Sequence, residues 1–260
     1  FLLVVAPRRA SSAEAPSAPS EEGAAPMATP EEWYRSLPPV TRGYMTSAVA
    51  ATLTVQLGLL DPSLMHLDFP SIFGSLELWR LLTNFTFFGT FSFPFVMSLF
   101  FLIRYTKELE AKRFEGRTAD FLWAMAIMGA VQAVVAYVLG GLPFLSQAML
   151  SAIVYVWSRE FADTVLSVFG LFNVQGFYWP WVLVALRVLM GGSPVLDLVG
   201  ILSGHIYYFL EDVQGYSLRA PALLSDFFDR GRSGPAAAQA QRRNMFGNHN
   251  WGGGGQRLGG

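Results

Sequence analysis

The chain has 260 residues, of which 52% are apolar and 14% are charged, and its formal net charge is -1. A soluble domain carries about 25% charged residues, so this composition predicts a protein that crosses a membrane several times. The balanced charge argues against nucleic-acid binding, and the absence of cysteine excludes disulfides and thiolate catalysis. His66, His205 and His249 lack the spacing of metal ligands, so no metal or cofactor is predicted.

Residues 1–30 are predicted to form a disordered leader, or an extension upstream of a natural start at Met27. They are rich in Ala, Pro, Ser and Glu, a composition that buries too little apolar surface to fold. The next segment, Glu31–Arg42, contains Trp33 and Tyr34, which suit the headgroup layer because each ring is apolar with a polar edge. We therefore expect the membrane domain to occupy residues 31–213.

Six apolar segments follow, and we interpret them as transmembrane helices. Pro62 ends the first segment, and Pro180 lies in the first turn of the fifth, where its missing N–H is harmless. Several segments are shorter than the roughly 20 residues that a bilayer core of about 30 Å requires. The predicted spans are Gly43–Leu60, Phe93–Ile103, Thr118–Leu139, Phe144–Trp157, Trp179–Met190 and Pro194–Leu210.

Basic residues are distributed unequally between the two sides of this predicted bundle. One side has Arg80 alone, whereas the opposite connections carry many basic residues and six more Arg follow the last span. Cytosolic connections are enriched in Lys and Arg, so both termini are expected in the cytosol. The basic residues of the expected cytosolic connections are Arg104, Lys107, Lys112, Arg113, Arg117 and Arg159.

The long connection Asp61–Ser92 is hydrophobic without being a clean span, which predicts a luminal loop that lies in the membrane or dips into it. It contains Trp79 beside Arg80, a pair that also fits a simple interfacial anchor whose Arg snorkels. Asn84 begins the glycosylation sequon Asn-Phe-Thr, but a segment held at the bilayer leaves that Asn poorly accessible.

The last predicted span carries Gly200 and Gly204, one helical turn apart on the same face. Small residues at this spacing let two membrane helices approach closely, which by itself indicates helix packing. Asp197 precedes them, and both Asp197 and Arg187 lie close to the turn at Gly191–Gly192. A lone charge in a membrane is expensive, so the two residues either pair in a polar pocket or snorkel separately to the interface.

The tail, residues 214–260, is rich in Gly, Ala, Arg and Gln and is predicted to be disordered. Near its end, residues 251–258 resemble the short box, aromatic-x-Gly-x-Gly-Gln-x-Leu, that docks onto the N-terminal domain of the ATPase valosin-containing protein. A flexible tail end is the alternative interpretation. The residues of the box are Trp251, Gly253, Gly255, Gln256 and Leu258.

Six separated blocks in one order closely resemble the derlins, rhomboid-like proteins of the endoplasmic reticulum membrane. The match runs from about Glu31 to Val213 and is most similar to plant derlins. The blocks are EEWYRSLPPVTRGY, LELWRLLTNF, GRTADFLWAM, IVYVWSRE, YWPWVL and GILSGHIYYFLEDV. The resemblance implies an all-α polytopic membrane protein, with a rhomboid-like bundle of six transmembrane helices and a membrane-embedded first luminal loop.

The resemblance also implies a rhomboid scaffold that has lost its catalytic groups. It places Ser146 at the position of the rhomboid nucleophile, with Leu145 and Gln147 where that family has glycines, and Asp197 at the position of the catalytic His. A carboxylate is a far weaker base than imidazole near neutral pH. The second span offers no His/Asn pair to hold an oxyanion. The first-loop Trp-Arg pair and the glycine pair do match rhomboid motifs, so the chain is expected not to be an enzyme.

A derlin is expected to act in endoplasmic-reticulum-associated degradation. Misfolded luminal and membrane proteins would engage the membrane groove around Trp79, Arg80 and spans two and five, pass toward a membrane ubiquitin ligase, and be extracted by the ATPase. The resemblance also implies oligomers with itself or with other derlins. The alternatives are a tether that only recruits the ATPase, an active serine protease using Ser146, and a transporter or channel, for which no internal repeat is visible.

Overall fold

The computed structural model describes residues 29–232 except residues 169 and 171, so the predicted leader and the box at residues 251–258 lie outside the described residues. The chain divides into two compact units, with the boundary between Leu218 and Arg219. In chain order the elements are α1 Pro30–Ser36, α2 Pro39–Gln56, α3 Phe69–Gly74, α4 Arg80–Thr83, α5 Phe93–Glu108, α6 Thr118–Val138, α7 Ser146–Glu160, β1 Val165–Val168, β2 Phe172–Gln175, α8 Trp179–Leu189, α9 Val195–Tyr208 and α10 Ala222–Arg232.

Each of the six predicted spans corresponds to one helix, namely α2, α5, α6, α7, α8 or α9. The bounds of the helices differ from those of the predicted spans, because the spans were defined by apolar residues alone. Helix α2 begins at Pro39, because proline is well suited to a first helical turn, and α5 continues as far as Glu108. Among the described helices, only α6, with 21 residues, is both long and apolar enough to cross a membrane by length and composition.

A short antiparallel hairpin between α7 and α8 departs from the expected all-α fold. Strand β1 pairs with β2, with Val165 opposite Gln175 and Val168 opposite Phe172. Leu166 and Val168 alternate with less buried residues and point into the core, which is the period of a half-buried strand. The described chain is therefore mostly helical rather than wholly helical.

Helix α7 lies at the centre of the first unit. Nearly all of its side chains are buried, and it packs against α5, α6, α8 and most extensively α9. Near its C-terminal end, the indole of Trp157 is fully buried. Its ring centroid lies 4.8 Å from that of Tyr105 at an interplanar angle of 59°, and its N–H donates to Glu108 Oε2 at 2.8 Å. The indole N–H thus has a partner inside an apolar core, as a buried Trp requires.

Large apolar side chains remain exposed around the outside of this unit. They include Val134 and Val138 on α6, and Trp181 and Leu189 on α8. A water-soluble protein rarely exposes contiguous apolar surface of this kind, whereas a helix surrounded by lipid has nowhere else to place these side chains. The described structure therefore has the surface of a helical membrane protein.

Arg113 joins three elements that end close together. Its guanidinium lies 2.5 Å from Glu160 Oε2, 3.2 Å from Glu211 Oε2 and 2.7 Å from Asp212 Oδ2, and the side chain is only 10% exposed. Burial works against the charge, but the hydrogen-bonded carboxylates, Asp212 foremost, outweigh it and raise the pKa of Arg113. The cluster ties the turn after α5 to the C-terminal ends of α7 and α9.

Glu110 caps the start of α2, which has no side-chain cap of its own. Glu110 is 4% exposed. Its carboxylate accepts hydrogen bonds from the backbone N–H of Val40, the backbone N–H of Thr41 and the Thr41 hydroxyl, each at 2.8 Å. We expect Glu110→Gln to destabilise the protein by about 1–3 kcal/mol, because charge-assisted hydrogen bonds to the α2 N-terminus are lost. Thermal unfolding in detergent measures this, and Glu115→Gln, an exposed position nearby, is the control that should not change stability.

Candidate functional site

Gly200 and Gly204 lie where α9 crosses α7. A Cβ on Gly200 would stand 2.1 Å from the carbonyl oxygen of Ala148 and 2.7 Å from Ser151 Cβ, and a Cβ on Gly204 would stand 2.9 Å from the carbonyl oxygen of Ala152. Real atoms cannot approach so closely, so glycine is what allows the two backbones to touch. The close crossing places polar side chains from the N-terminal halves of α7 and α9 side by side.

Asp197, in the first turn of α9, lies at that crossing. Its side chain is 4% exposed, and Oδ1 accepts a hydrogen bond from Gln147 Nε2 at 2.9 Å and one from Ser151 Oγ at 2.7 Å. Arg187 Nε, near the end of α8, lies 2.6 Å from Oδ2. Of the two expectations for these charges, the structure shows the one in which Arg187 and Asp197 lie together.

The contact between Arg187 and Asp197 is close but not a directed hydrogen bond. No donor among the described residues is aimed at Oδ2 of Asp197, although Nε of Arg187 is within contact distance. The attraction between the two side chains is therefore mainly one of charge. Arg187 itself is 34% exposed, so solvent or headgroups can reach its guanidinium.

Ser146 has a different hydrogen-bond partner from the one a nucleophile requires. Its Oγ donates to the backbone carbonyl oxygen of Phe87 at 2.6 Å, and its side chain is buried. His205 Nδ1 lies 2.7 Å from the Tyr155 hydroxyl, further along α9. The serine that bonds to Asp197 is Ser151, so neither Ser146 nor His205 shares a hydrogen bond with that carboxylate.

Arg80 begins the short helix α4 in the long first loop and Trp79 directly precedes it, and their two side chains have opposite environments. Arg80 is 6% exposed, whereas Trp79 is 53% exposed. The Arg80 guanidinium donates to Glu77 Oε2 at 2.5 Å and to the carbonyl oxygens of Ser63 at 2.6 Å and His66 at 3.2 Å. Arg80 therefore folds the loop from inside, and the expected snorkelling anchor does not describe it.

The surface of this loop is apolar. Phe73, Leu76, Leu78 and Leu82 are each more than half exposed, as is Trp79. Asn84, the sequon residue, is fully buried, and its Nδ2 donates to the carbonyl oxygen of Arg80 at 2.5 Å. A loop with polar groups inside and apolar groups outside is suited to contact with lipid.

Three polar residues of the site were not anticipated from the sequence, namely Gln147, Ser151 and Glu77. Gln147 and Ser151 are four residues apart, which places them on one face of α7, and that spacing was a usable signal. Glu77 stands three residues before Arg80 and was likewise visible as a local partner. Among residues 29–232, no group of three or more His, Asp or Glu side chains is arranged to hold a metal ion.

Comparison with known proteins identifies the family of this chain. A model of the Der1-like family matches residues 37–226. Derlin-1 of Oryza sativa subsp. japonica is 42% identical over 190 residues, which cover 71% of this chain and 77% of the relative. Derlin-1 of Arabidopsis thaliana is 37% identical over 223 residues, covering 83% and 84%. A probable derlin-2 homolog of Dictyostelium discoideum is 37% identical over 216 residues, covering 78% and 85%. The chain belongs to the Der1-like family, the derlins.

Proposed function

We propose that this chain is a non-catalytic component of endoplasmic-reticulum-associated degradation, which helps to move misfolded luminal and membrane proteins to the cytosol for ubiquitination. In this proposal the chain resides in the endoplasmic reticulum membrane as a rhomboid-like bundle. Its six spans are α2, α5, α6, α7, α8 and α9, and both termini are cytosolic. The family relationship and the Lys/Arg asymmetry between the connections support this orientation.

The observation that carries the proposal is the shortness of α7 and α8 beside α6. Helix α6 has 21 residues and is about 32 Å long, whereas the 15 residues of α7 and the 11 residues of α8 give about 22 Å and 16 Å. A bilayer core of about 30 Å must thin around such helices, or the helices must be flanked by polar groups. A thinner bilayer lowers the barrier to a polar polypeptide segment that crosses it.

The first loop supports the same function. Its apolar outer surface around Trp79 suits a position within the lipid, while Arg80 holds its polar interior together. A loop with this surface disturbs the lipid around it. We propose that this loop and the helices α5 and α8 border the client groove.

The proposed partners follow from the family and from the tail. The box Trp251–Leu258 would hold the valosin-containing ATPase, whose binding groove suits an extended peptide with an apolar residue at each end. A membrane ubiquitin ligase and further derlin copies would complete the complex. The proposal for the box rests on its sequence pattern alone.

The experiment is the degradation rate of a misfolded luminal glycoprotein in cells that lack their own derlins. We compare the intact chain with Trp79→Ala and with a chain that ends at Asn250. Both changes should slow degradation several-fold, since one alters the membrane loop and the other removes the box. Trp33→Ala is the matched control, because Trp33 is 44% exposed but lies in α1, outside the loop.

The outcomes of this comparison separate the alternatives. If only the shortened chain is slow, the protein is a tether for the ATPase and the membrane groove is not needed. If neither change slows degradation, the proposed mechanism is wrong. The intramembrane protease is tested separately, because Ser151 does contact a carboxylate: labelling of Ser146 or Ser151 by a mechanism-based serine probe would contradict a non-catalytic role.

A further inference from the structure

Asp197 has a buried carboxylate whose two oxygens have different kinds of partner. Oδ1 is held by Gln147 and Ser151, whereas no donor among the described residues is aimed at Oδ2. The side chain is 4% exposed. Arg187 Nε lies 2.6 Å from Oδ2, so this oxygen depends on charge attraction to one cation, which a second cation with better hydrogen-bond geometry can replace.

Asp197 and Arg187 differ in how tightly the surrounding structure packs around them. Asp197 stands on α9, which the contact of Gly200 with the α7 backbone locks in place, and Gln147 and Ser151 fix its orientation. Arg187 stands near the end of α8, a helix whose buried residues are confined to its first turn. The anion is therefore preorganised, whereas the cation beside it is 34% exposed and stands near the end of a helix with little burial.

The surface around the pair is apolar. Val188 and Leu189 on α8, and Val195 and Leu198 on α9, are all more than 40% exposed. A water-soluble ligand would not match this surface, but an apolar polypeptide segment that carries one cationic side chain would match both the surface and the carboxylate. Replacing one cation by another leaves the net charge of the pocket unchanged.

We propose that Asp197 is the receptor for a Lys or Arg side chain on an otherwise apolar segment of a client polypeptide. The client cation displaces Arg187, donates to Oδ2, and is relieved of the cost of an unpaired charge in the membrane. Arg187 then extends its side chain to the membrane surface. This inference rests on the proposed function, because it requires that the protein engages client polypeptides.

The test compares two single-pass client proteins that differ at one position of an apolar transmembrane segment. One has Lys and the other has Leu at a position in the luminal third, at the expected depth of Asp197. Each is photo-crosslinked to the full-length protein in microsomes, and the captured amounts are compared. We expect capture of the Lys client to exceed that of the Leu client by about fivefold, the size of a typical polar contact inside a membrane.

Two variants give opposite expectations. Asp197→Asn should reduce capture of the Lys client to that of the Leu client, because the anion is gone. Arg187→Gln should increase capture of the Lys client, because the competing cation is gone while Asp197 remains. If both variants reduce capture alike, the pair is only structural and the proposal is overturned; the same holds if Asp197→Asn keeps the preference for Lys.

Two further measurements keep the outcome clear. Thermal unfolding in detergent shows which variants fold. If Asp197→Asn does not fold, Arg187→Gln alone decides the matter, because a cation receptor requires this variant to capture more of the Lys client. Degradation of a misfolded luminal glycoprotein without a transmembrane segment is followed in parallel. If that degradation depends on the chain but the Lys preference is absent, the inference fails while the proposed function stands. If it does not depend on the chain, the proposed function fails.

Discussion

Gly200→Ala is expected to destabilise the protein by about 3 kcal/mol, the largest effect of a single added methyl group in this fold. The new Cβ would stand 2.1 Å from the carbonyl oxygen of Ala148, and a backbone oxygen in the first turn of α7 cannot move aside without moving the helix. Helices α7 and α9 must separate, which also pulls Asp197 away from Ser151. Thermal unfolding in mild detergent measures the loss.

Two other glycines calibrate this result. Gly204→Ala should cost less, about 1–2 kcal/mol, because its Cβ would stand 2.9 Å from the nearest atom, the carbonyl oxygen of Ala152. Gly43→Ala in α2 has no atom within 4 Å and should stabilise the helix by about 0.5–1 kcal/mol. Equal effects at all three positions would show that helix propensity, and not the crossing of α7 and α9, governs the result.

Arg80→Met should destabilise the first loop by about 3–5 kcal/mol, although the new side chain is apolar and similar in length. The guanidinium is 6% exposed and bonds to Glu77, Ser63 and His66. Without it, one carboxylate and two carbonyl oxygens lose their donors inside the loop. Arg80→Lys should recover only part of the loss, because an ammonium cannot reproduce the planar fork.

The loss is measured as faster protease cleavage of the loop in membranes and as a lower unfolding temperature. Arg35→Met is the matched control: Arg35 also pairs with a carboxylate one turn away, Glu31, but both side chains are more than 70% exposed. That control should leave stability unchanged, since exposed ion pairs contribute little. An Arg80→Met protein as stable as the control would mean that Arg80 acts at the surface and does not organise the loop.

The predicted spans could be located because apolar helices leave long apolar segments in the sequence. Each predicted span overlaps one helix, and α6 agrees to within one residue at its C-terminal end. The hairpin at residues 165–175 was missed, because strands of four residues carry too little periodicity to be distinguished from a loop. Helix α5 was predicted too short, because its last turn contains charged residues that a membrane span would exclude but a helix tolerates.

The site was only partly visible. Gly200, Gly204, Arg80 and Asp197 stood out because a small-residue stripe or a charge in an apolar segment needs an explanation. Their partners did not stand out, since Ser151 is separated from Asp197 by 46 residues and is an ordinary residue in a helix. The resemblance to rhomboids directed attention to Ser146. The serine that bonds to Asp197 is Ser151, five residues further along α7.

By itself, the sequence of this protein determined its class, the family to which it belongs, the approximate helices and the small residues that allow close crossing. These properties can be recognised from short stretches of sequence, because they depend on the hydrophobicity and the size of residues that are close together along the chain. Only the tertiary structure decided that Arg80 points inward, that Ser151 and not Ser146 serves Asp197, and that Arg187 reaches the same carboxylate. Those contacts join distant parts of the chain, and they depend on the rotation and offset of packed helices, which single-residue spacing does not specify.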